Sequence, residues 1–235
     1  MATKIKKGLT SIIMIMYDQT QTSRHVSMAA VAAITRYTNP KDYELILVDC
    51  CSKYPFRDDY HVLKVDKFIE KKAPDIGYYP AMNLGASKAK GEYLCFIEND
   101  LFVNSLNWLQ TLRWYLENNK MDAVMPHQIP NTYNQIMEFE SMDYEGAIGK
   151  AATEQGLVMI TRKAFKEIGG WDKKLKAGYG WKRFYQQLGE NKLRLGNTAK
   201  CIVTHITGMT YYDTMEFDLE KFEKNSKTEG DYLNG

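Results

Sequence analysis

A run of apolar residues that ends in two carboxylates constrains this chain more than any other feature of its sequence. Tyr93 to Ile97 are five consecutive apolar or aromatic residues, the pattern of a strand buried on both faces. Glu98 and Asp100 follow at once, and a buried pair of carboxylates needs a counter-charge. A divalent cation that bridges phosphates, Mg²⁺ or Mn²⁺, would supply it. The alternative interpretation is a solvated strand end.

The rest of the chain alternates strands with helices, which predicts a parallel α/β sheet. Further apolar strands are expected at 11–16, 44–49, 61–65 and 122–125, and helices at 26–37, from Asn83, at 104–116 and at 181–188. Residues 126–155 have no clear periodicity, which is typical of a functional loop.

Several polar residues follow the predicted strands, where ligands bind in sheets of this kind. Asp49 ends the second strand, so it is expected to converge with the acidic pair on one crevice. Tyr17 and Asp18 follow the first strand, where the loop would meet a nucleotide base; the alternative interpretation is a plain turn.

The order of these motifs resembles the nucleotide-sugar half of family 2 glycosyltransferases with the GT-A fold. The resemblance rests on four segments, which are Asp49-Cys50-Cys51-Ser52, Asn83-Leu84-Gly85, Gly91-Glu92-Tyr93 and Glu98-Asn99-Asp100. It continues through 156–162, 168–172 and 203–210, and so covers roughly residues 9 to 210. It implies one α/β domain of the GT-A type over 1–235, with a mixed, mostly parallel sheet flanked by helices and a Rossmann-like nucleotide half. The nucleotide half would span about 9–103, the acceptor half about 104–212 and a charged tail 213–235.

The resemblance also implies roles for individual residues. Donor binding, with a UDP- or GDP-linked sugar, would involve Tyr17, Asp18, Asp49, Asn83 and Glu98. Mn²⁺ or Mg²⁺ would be held by Glu98, Asp100 and His205, since a late histidine completes the metal site in some enzymes with this fold. For Asp49, Asn83 and His205 a structural role stays open, as a strand-end cap, a helix-start residue and a hydrogen-bonded strand end respectively.

Two departures from the family pattern concern the chemistry. Glu98 stands where the family usually has Asp, and Trp181 and Lys182 stand where it commonly has two acids, one of which is the general base of inverting members. Asp172 is then the first candidate base, followed by Glu154 and Glu145, and Lys182 would neutralise a donor phosphate or an anionic acceptor. The missing acids favour retention of configuration, in which the leaving phosphate takes the proton, but inversion stays open.

Local charge suggests the nature of the acceptor. Between Arg162 and Arg183 the chain carries eight Lys and Arg against two acids, whereas the whole chain has a net charge of +2. A basic stretch is usually a solvated surface, but here it coincides with the predicted acceptor half. A glycan precursor and a hydroxymethylated DNA base are therefore both considered as acceptors, and DNA would require phosphate contacts and a flipped base.

Two other functions remain, namely an inactive GT-A domain kept as a binding module and a nucleotidyltransferase. Trp181 and Lys182 favour the first, and the absence of a Gly-rich basic loop after the first strand argues against the second.

No apolar run reaches the roughly 18 residues of a membrane span. A cytoplasmic location is expected, or the host cytoplasm if a phage encodes the protein. The four cysteines show neither zinc nor CxxC spacing, so reduced thiols are expected.

Overall fold

The computed structural model of the protein describes residues 4–56, 63–71, 77–118, 121–129, 156–175 and 180–206. The strands are β1 (Lys6–Met16), β2 (Tyr43–Cys50), β3 (Lys67–Lys71), β4 (Gly91–Glu98), β5 (Leu101–Val103), β6 (Ala123–Ile129), β7 (Leu157–Thr161) and β8 (Leu195–His205). The helices are α1 (Gln21–Tyr37), α2 (Tyr78–Lys88), α3 (Trp108–Glu117), α4 (Arg162–Glu167) and α5 (Gly180–Glu190).

All eight strands form one mixed sheet in the order β3-β2-β1-β4-β7-β6-β8-β5. β3, β2, β1 and β4 pair in parallel, and so do β6 and β8. β7 runs antiparallel to β4 and β6, and β5 runs antiparallel to β8. The predicted mixed, mostly parallel sheet flanked by helices is therefore confirmed.

The sheet is buried on both faces, which explains the continuous apolar runs of its central strands. Along β1, Ile12 and Met14 pack into the cluster that includes residues of α1 and α3. The alternate residues, Ile13 and Ile15, pack with residues of α2, α4 and α5 on the other face. Because β1, β2 and β4 are parallel neighbours, their carboxyl ends lie at one edge of the sheet.

Several sequence-based boundaries are wrong, and three of them can be explained locally. The strand expected at 61–65 lies instead at Lys67–Lys71, and residues 61–62 fall outside the described residues. Asp66 exchanges hydrogen bonds with Leu45 just before β3 pairs with β2. α2 begins at Tyr78 rather than Asn83. Pro80 does not prevent this, because the N–H that a proline lacks has no partner within the first turn of a helix. α3 begins at Trp108 rather than 104, since Asn104 donates to Thr204 of β8 (2.9 Å).

β8 pairs in parallel with β6, and the register of this pairing changes part of the way along the two strands. Pro126 pairs with Thr198, but the next β6 residue, His127, pairs with Ile202. β8 thus contains an irregular stretch, residues 199–201, without partners in β6. β6 also runs to Ile129, past the strand end expected at 125, and the predicted acceptor loop from 130 to 155 lies outside the described residues.

Two features of composition are settled by the described residues. Cys50, Cys51, Cys95 and Cys201 are all free thiols, as the sequence predicted. None of the helices in the described ranges is long and apolar enough to cross a bilayer.

Candidate active site

Glu98, Asp100 and His205 meet where β4 ends beside the end of β8. One ligand atom of each residue lies within 4.8 Å of the others. The Nε2 atom of His205 is 3.2 Å from Oε2 of Glu98 and 3.3 Å from Oδ1 of Asp100. The structure thus brings together the three residues that the sequence predicted as metal ligands, although His205 is far from the other two in the chain.

Backbone hydrogen bonds fix the strands that carry these three side chains. The N–H of Glu98 donates to the carbonyl of Gly156 at 2.8 Å, and the N–H of Ile206 donates to the carbonyl of Asp100 at 3.0 Å. His205 is also the register partner of Leu101 in the antiparallel pair of β5 and β8. The relative positions of the three ligand residues are therefore set by the ends of β4 and β8 and by the turn from β4 to β5.

Gly156 leaves room for the imidazole of His205. Its φ of +104° is a conformation that side-chain-bearing residues rarely adopt, and a Cβ atom there would lie 2.9 Å from Cε1 of His205. Any other residue at this position would strain the backbone and push the ring away from the carboxylates.

The orientation of the His205 ring is fixed by Gln128. Oε1 of Gln128 lies 2.8 Å from Nδ1 of His205, and an amide oxygen only accepts, so Nδ1 carries the hydrogen. Nε2 then faces the two carboxylates, buried and without a hydrogen bond of good geometry. Histidines that bind metals usually donate their other N–H in this way.

The electrostatics of the cluster require a positive charge at Nε2. Burial alone would lower the pKa of His205, but the contacts and charges of Asp100 and Glu98 outweigh it and raise that pKa to about 10. Burial, together with the charge of Glu98, raises the pKa of Asp100. A divalent cation between the three groups would use the lone pair of Nε2 and neutralise both carboxylates, so the residues fit such an ion.

Glu98 has a second partner, which belongs to α5. The indole Nε1–H of Trp181, in the first turn of α5, donates to Oε1 of Glu98 at 3.0 Å. The other oxygen, Oε2, is the one that faces His205. Trp181 therefore contacts a predicted metal ligand directly.

A second pair of carboxylates, Asp18 and Asp49, is buried at the same edge of the sheet, after β1 and at the end of β2. Thr20 caps α1, and Ser27 on the buried side of that helix donates to Oδ1 of Asp18 at 2.6 Å. The N–H of Ser52 donates to Oδ1 of Asp49 at 3.0 Å. In both residues Oδ2 is buried and accepts no hydrogen bond from the residues that the structure describes.

Burial dominates the titration of this second pair. It raises the pKa of Asp18 to about 6, against a lowering by the hydrogen bond from Ser27 and with a further increase from the charge of Asp49. Burial likewise raises the pKa of Asp49. Two buried oxygens without donors are suited to accept N–H or O–H groups of a ligand.

Asn99 links the two acidic clusters. It lies between Glu98 and Asp100 in sequence, and its side-chain amide donates to Oγ of Ser27 at 2.7 Å and to Oδ1 of Asp18 at 3.3 Å. The turn that presents the predicted metal ligands is thereby tied to the carboxylate after β1.

The two other residues predicted to bind the nucleotide-sugar donor, Tyr17 and Asn83, lie in different surroundings from each other. Tyr17 is 48% exposed beside Asp18. Asn83 is in the interior of α2, where its amide donates to the carbonyl of Trp171 at 2.8 Å and its oxygen accepts from the Trp171 N–H at 3.0 Å. Both polar groups of Asn83 thus hold the backbone of the segment before Asp172, and its contact with a donor stays a prediction.

The two predicted catalytic residues lie in the part of the chain that the sequence predicted as the acceptor half. Oδ1 of Asp172 accepts from the N–H of Lys174 at 2.9 Å, and its Oδ2 lies 3.9 Å from Nε of Arg183. Lys182 is exposed in the first turn of α5. Their catalytic roles remain predictions, and the two reserve bases, Glu145 and Glu154, lie outside the described residues.

Sequence reasoning missed three residues that shape the site. Gln128 fell in a segment without periodicity, so no signal placed it in a strand. Gly156 was part of a motif, but only the fold shows that it contacts His205. Trp181 was noted only as a replacement for an acid. The signal that could have linked it to the site is that the same chain also has Glu98 where the family usually has Asp.

The fold and the arrangement of acids at the strand ends define a class, the GT-A fold of nucleotide-sugar-dependent glycosyltransferases. The structure of Staphylococcus aureus TarS 1–349 is similar, with a TM-score of 0.65 and 14% identity over 87% of this chain and 62% of that one. Its complex with UDP-GlcNAc gives 0.67 and 15% identity over 85% and 59%. GalNAc-T7 with UDP, GalNAc and Mn²⁺ gives 0.64 and 17% identity over 84% and 43%.

The sequence itself gives the family. The profile described as "Glycosyl transferase family 2" matches residues 11–139, and this chain belongs to that family. It spans less than two thirds of the length of the similar solved structures named above. No curated protein sequence matches it significantly.

Proposed function

We propose that this protein is a metal-dependent glycosyltransferase that moves a sugar from a nucleotide-sugar donor to a hydroxyl group of an acceptor. The observation that carries the proposal is the buried Nε2 of His205, which faces Glu98 and Asp100 without a hydrogen bond of good geometry to any described residue. The bound UDP-GlcNAc of TarS and the bound UDP and Mn²⁺ of GalNAc-T7 favour a UDP-linked sugar and Mn²⁺ over GDP and Mg²⁺.

Asp18 and Asp49 would recognise the nucleoside of the donor. Each offers a buried Oδ2 without a donor, at the edge where the first two strands end. A base N–H and ribose hydroxyl groups are donors of the kind that would satisfy them. Tyr17 would contact the base from its exposed position, and Glu98 would contact the donor as well as the metal.

The metal would be held by Glu98, Asp100 and His205, and when bound it would neutralise the charge that develops on the leaving diphosphate. In the transfer the bond between the sugar C1 and the phosphate oxygen breaks, and a bond between C1 and the acceptor oxygen forms. Retention lets the leaving phosphate take the acceptor proton. We favour retention because Trp181 and Lys182 replace the acid pair; inversion would use Asp172 as the base.

The acceptor would be anionic. Within the basic stretch from Arg162 to Arg183, the structure describes five exposed lysines, namely Lys163, Lys166, Lys173, Lys174 and Lys182. A glycan precursor that carries phosphate or carboxylate groups fits this charge, and so does DNA with a hydroxymethylated base. Lys182 would contact the acceptor or the donor phosphates.

Nucleotide release provides the test. The protein would be incubated with a panel of UDP- and GDP-sugars, with Mn²⁺ or with EDTA, and the free nucleotide measured. We expect release that requires Mn²⁺ and is lost in Asp100→Asn but kept in Asp122→Asn, a carboxylate whose Oδ2 binds the Arg194 N–H elsewhere in the fold. No release above a heat-killed control would favour the inactive binding module, and formation of UTP or GTP from the nucleotide sugar and added pyrophosphate would favour a nucleotidyltransferase.

A further inference from the structure

The two departures from the family pattern meet in space. Glu98 is one methylene longer than the usual Asp, and Trp181 stands where the family commonly has an acid. An acid at 181 would place a second negative charge near the carboxylate of Glu98. The Trp181 indole instead donates a hydrogen bond to Oε1 at 3.0 Å.

The indole is held rigidly enough to orient its partner. Trp181 is 2% exposed, and its ring meets Trp171 edge-on with centroids 4.9 Å apart. Trp171 in turn stacks on Phe184 at 4.1 Å and on Tyr79 at 5.5 Å. Rotation of the Trp181 side chain would disrupt this packing, so its N–H has a fixed direction.

We propose that Trp181 is a positioning residue of the metal centre, which orients Glu98 so that Oε2 faces the ion beside His205. This inference rests on the proposed function, because it assumes that the triad binds a divalent cation. A glutamate has one more rotatable bond than an aspartate, so without a donor at Oε1 its carboxylate would sample directions away from the ion. The Trp181 hydrogen bond removes this freedom and couples α5 to the metal.

Mn²⁺ titrations monitored by the electron paramagnetic resonance of the free ion would test the proposal. Trp181→Phe keeps most of the ring and removes the N–H, and we expect Mn²⁺ affinity to fall about tenfold or more, as for other partners of metal ligands. Trp108→Phe is the matched control, since Trp108 is also fully buried and its indole donates to Oγ1 of Thr38 at 2.8 Å, away from the triad. Its Mn²⁺ affinity should equal that of the parent protein.

A double-mutant cycle separates orientation from general damage to the fold. Glu98→Asp shortens the side chain, so its carboxylate should no longer reach the indole. If Trp181 acts through Glu98, adding Trp181→Phe to Glu98→Asp should weaken Mn²⁺ binding no further. Additive losses would overturn the proposal.

A measurement on the unaltered protein covers the case in which Trp181→Phe does not fold. The chain has four tryptophans, so four indole N–H resonances are expected in a ¹H–¹⁵N spectrum. Mg²⁺ should shift the Trp181 resonance, because its acceptor becomes a metal ligand, and should leave that of Trp108 in place. A Trp181 resonance that does not move, or unchanged Mn²⁺ affinity in Trp181→Phe, would overturn the inference alone; a parent protein that binds no Mn²⁺ would overturn the metal centre with it.

Discussion

Gln128 accepts a hydrogen bond from Nδ1 of His205 at 2.8 Å and thereby decides which ring nitrogen faces the acids. The contact exists because Gln128 of β6 is the register partner of Val203, two residues before His205 on the same side of β8. The tautomer of His205 is therefore a consequence of the pairing between two strands.

The first prediction follows from this contact. Gln128→Met preserves the volume but removes the acceptor, so His205 should lose its orientation and Mn²⁺ affinity should fall about tenfold. Gln110→Met is the control, because the Gln110 amide binds Asp42 at 3.0 Å instead. Calorimetric titration with Mn²⁺ would measure both. Equal affinities in the two variants would show that Nδ1 does not need this acceptor.

The second prediction concerns Asp100. Asp100→Asn removes a charged ligand. Substitution of a residue that only hydrogen-bonds to a metal ligand typically costs roughly tenfold in affinity, so the part of UDP affinity that depends on Mn²⁺ should fall by at least that much. Calorimetry with UDP in Mn²⁺ and in EDTA would separate the two parts. The thermal unfolding midpoint should show an intact fold. UDP binding that is equally tight in EDTA would contradict the role of the metal.

The third prediction is a dependence of stability on pH. The folded protein holds the Asp18 proton up to a pKa of about 6, whereas the unfolded chain releases it near 3.8, so stability falls as the pH rises through this window. Two pKa units correspond to about 3 kcal/mol. The free energy of unfolding of Asp18→Asn, relative to the parent, should therefore rise by up to that amount between about pH 4 and pH 8.

Urea unfolding at several pH values would measure this difference, and a second variant checks its cause. Ser27 donates to Asp18, and that hydrogen bond lowers the Asp18 pKa. Ser27→Ala should therefore increase the loss of stability toward high pH. A difference between Asp18→Asn and the parent that does not change with pH would contradict the buried carboxyl as its source.

The fourth prediction concerns the acceptor. Lys173→Glu combined with Lys182→Glu should weaken binding of a polyanionic acceptor and flatten its dependence on salt, because fewer counterions are released. Lys41→Glu, an exposed lysine before β2 at the opposite edge of the sheet, is the control and should change neither. Filter binding of DNA and of an anionic glycan across salt concentrations would measure it. Affinity that is independent of salt would exclude a polyanion.

The parts of the fold that the sequence predicted correctly are those where burial dominates. β1, β2 and β4 are buried on both faces, so their apolar runs were sufficient to locate them. The helix near 181–188 was also correct, and α5 buries the four apolar residues that predicted it, Trp181, Phe184, Tyr185 and Leu188. Glu98 and Asp100 were located as the acids where β4 ends, whereas His205, which ends β8, was added only by the resemblance to the family.

The errors occurred where the chain depends on distant partners. β3 is only partly buried, so its position is decided by the ladder with β2 and not by hydrophobicity. Gln128 is polar, yet β6 carries it into the core because its oxygen meets His205. A contact between residues so far apart in the chain leaves no periodic trace in the sequence.

The irregular stretch at 199–201 of β8 has a consequence for how this protein tolerates changes in length. Side chains alternate between the faces of a strand, so an odd change in the number of residues reverses every side chain beyond it. Loss of a single residue between Ile202 and His205, where β8 is paired with β6, would turn His205 away from Glu98 and Asp100, whereas loss of one of residues 199–201 can be absorbed while Ile202 stays opposite His127. Over evolution, changes in length should therefore collect in the irregular stretch and be absent from the paired residues that follow it.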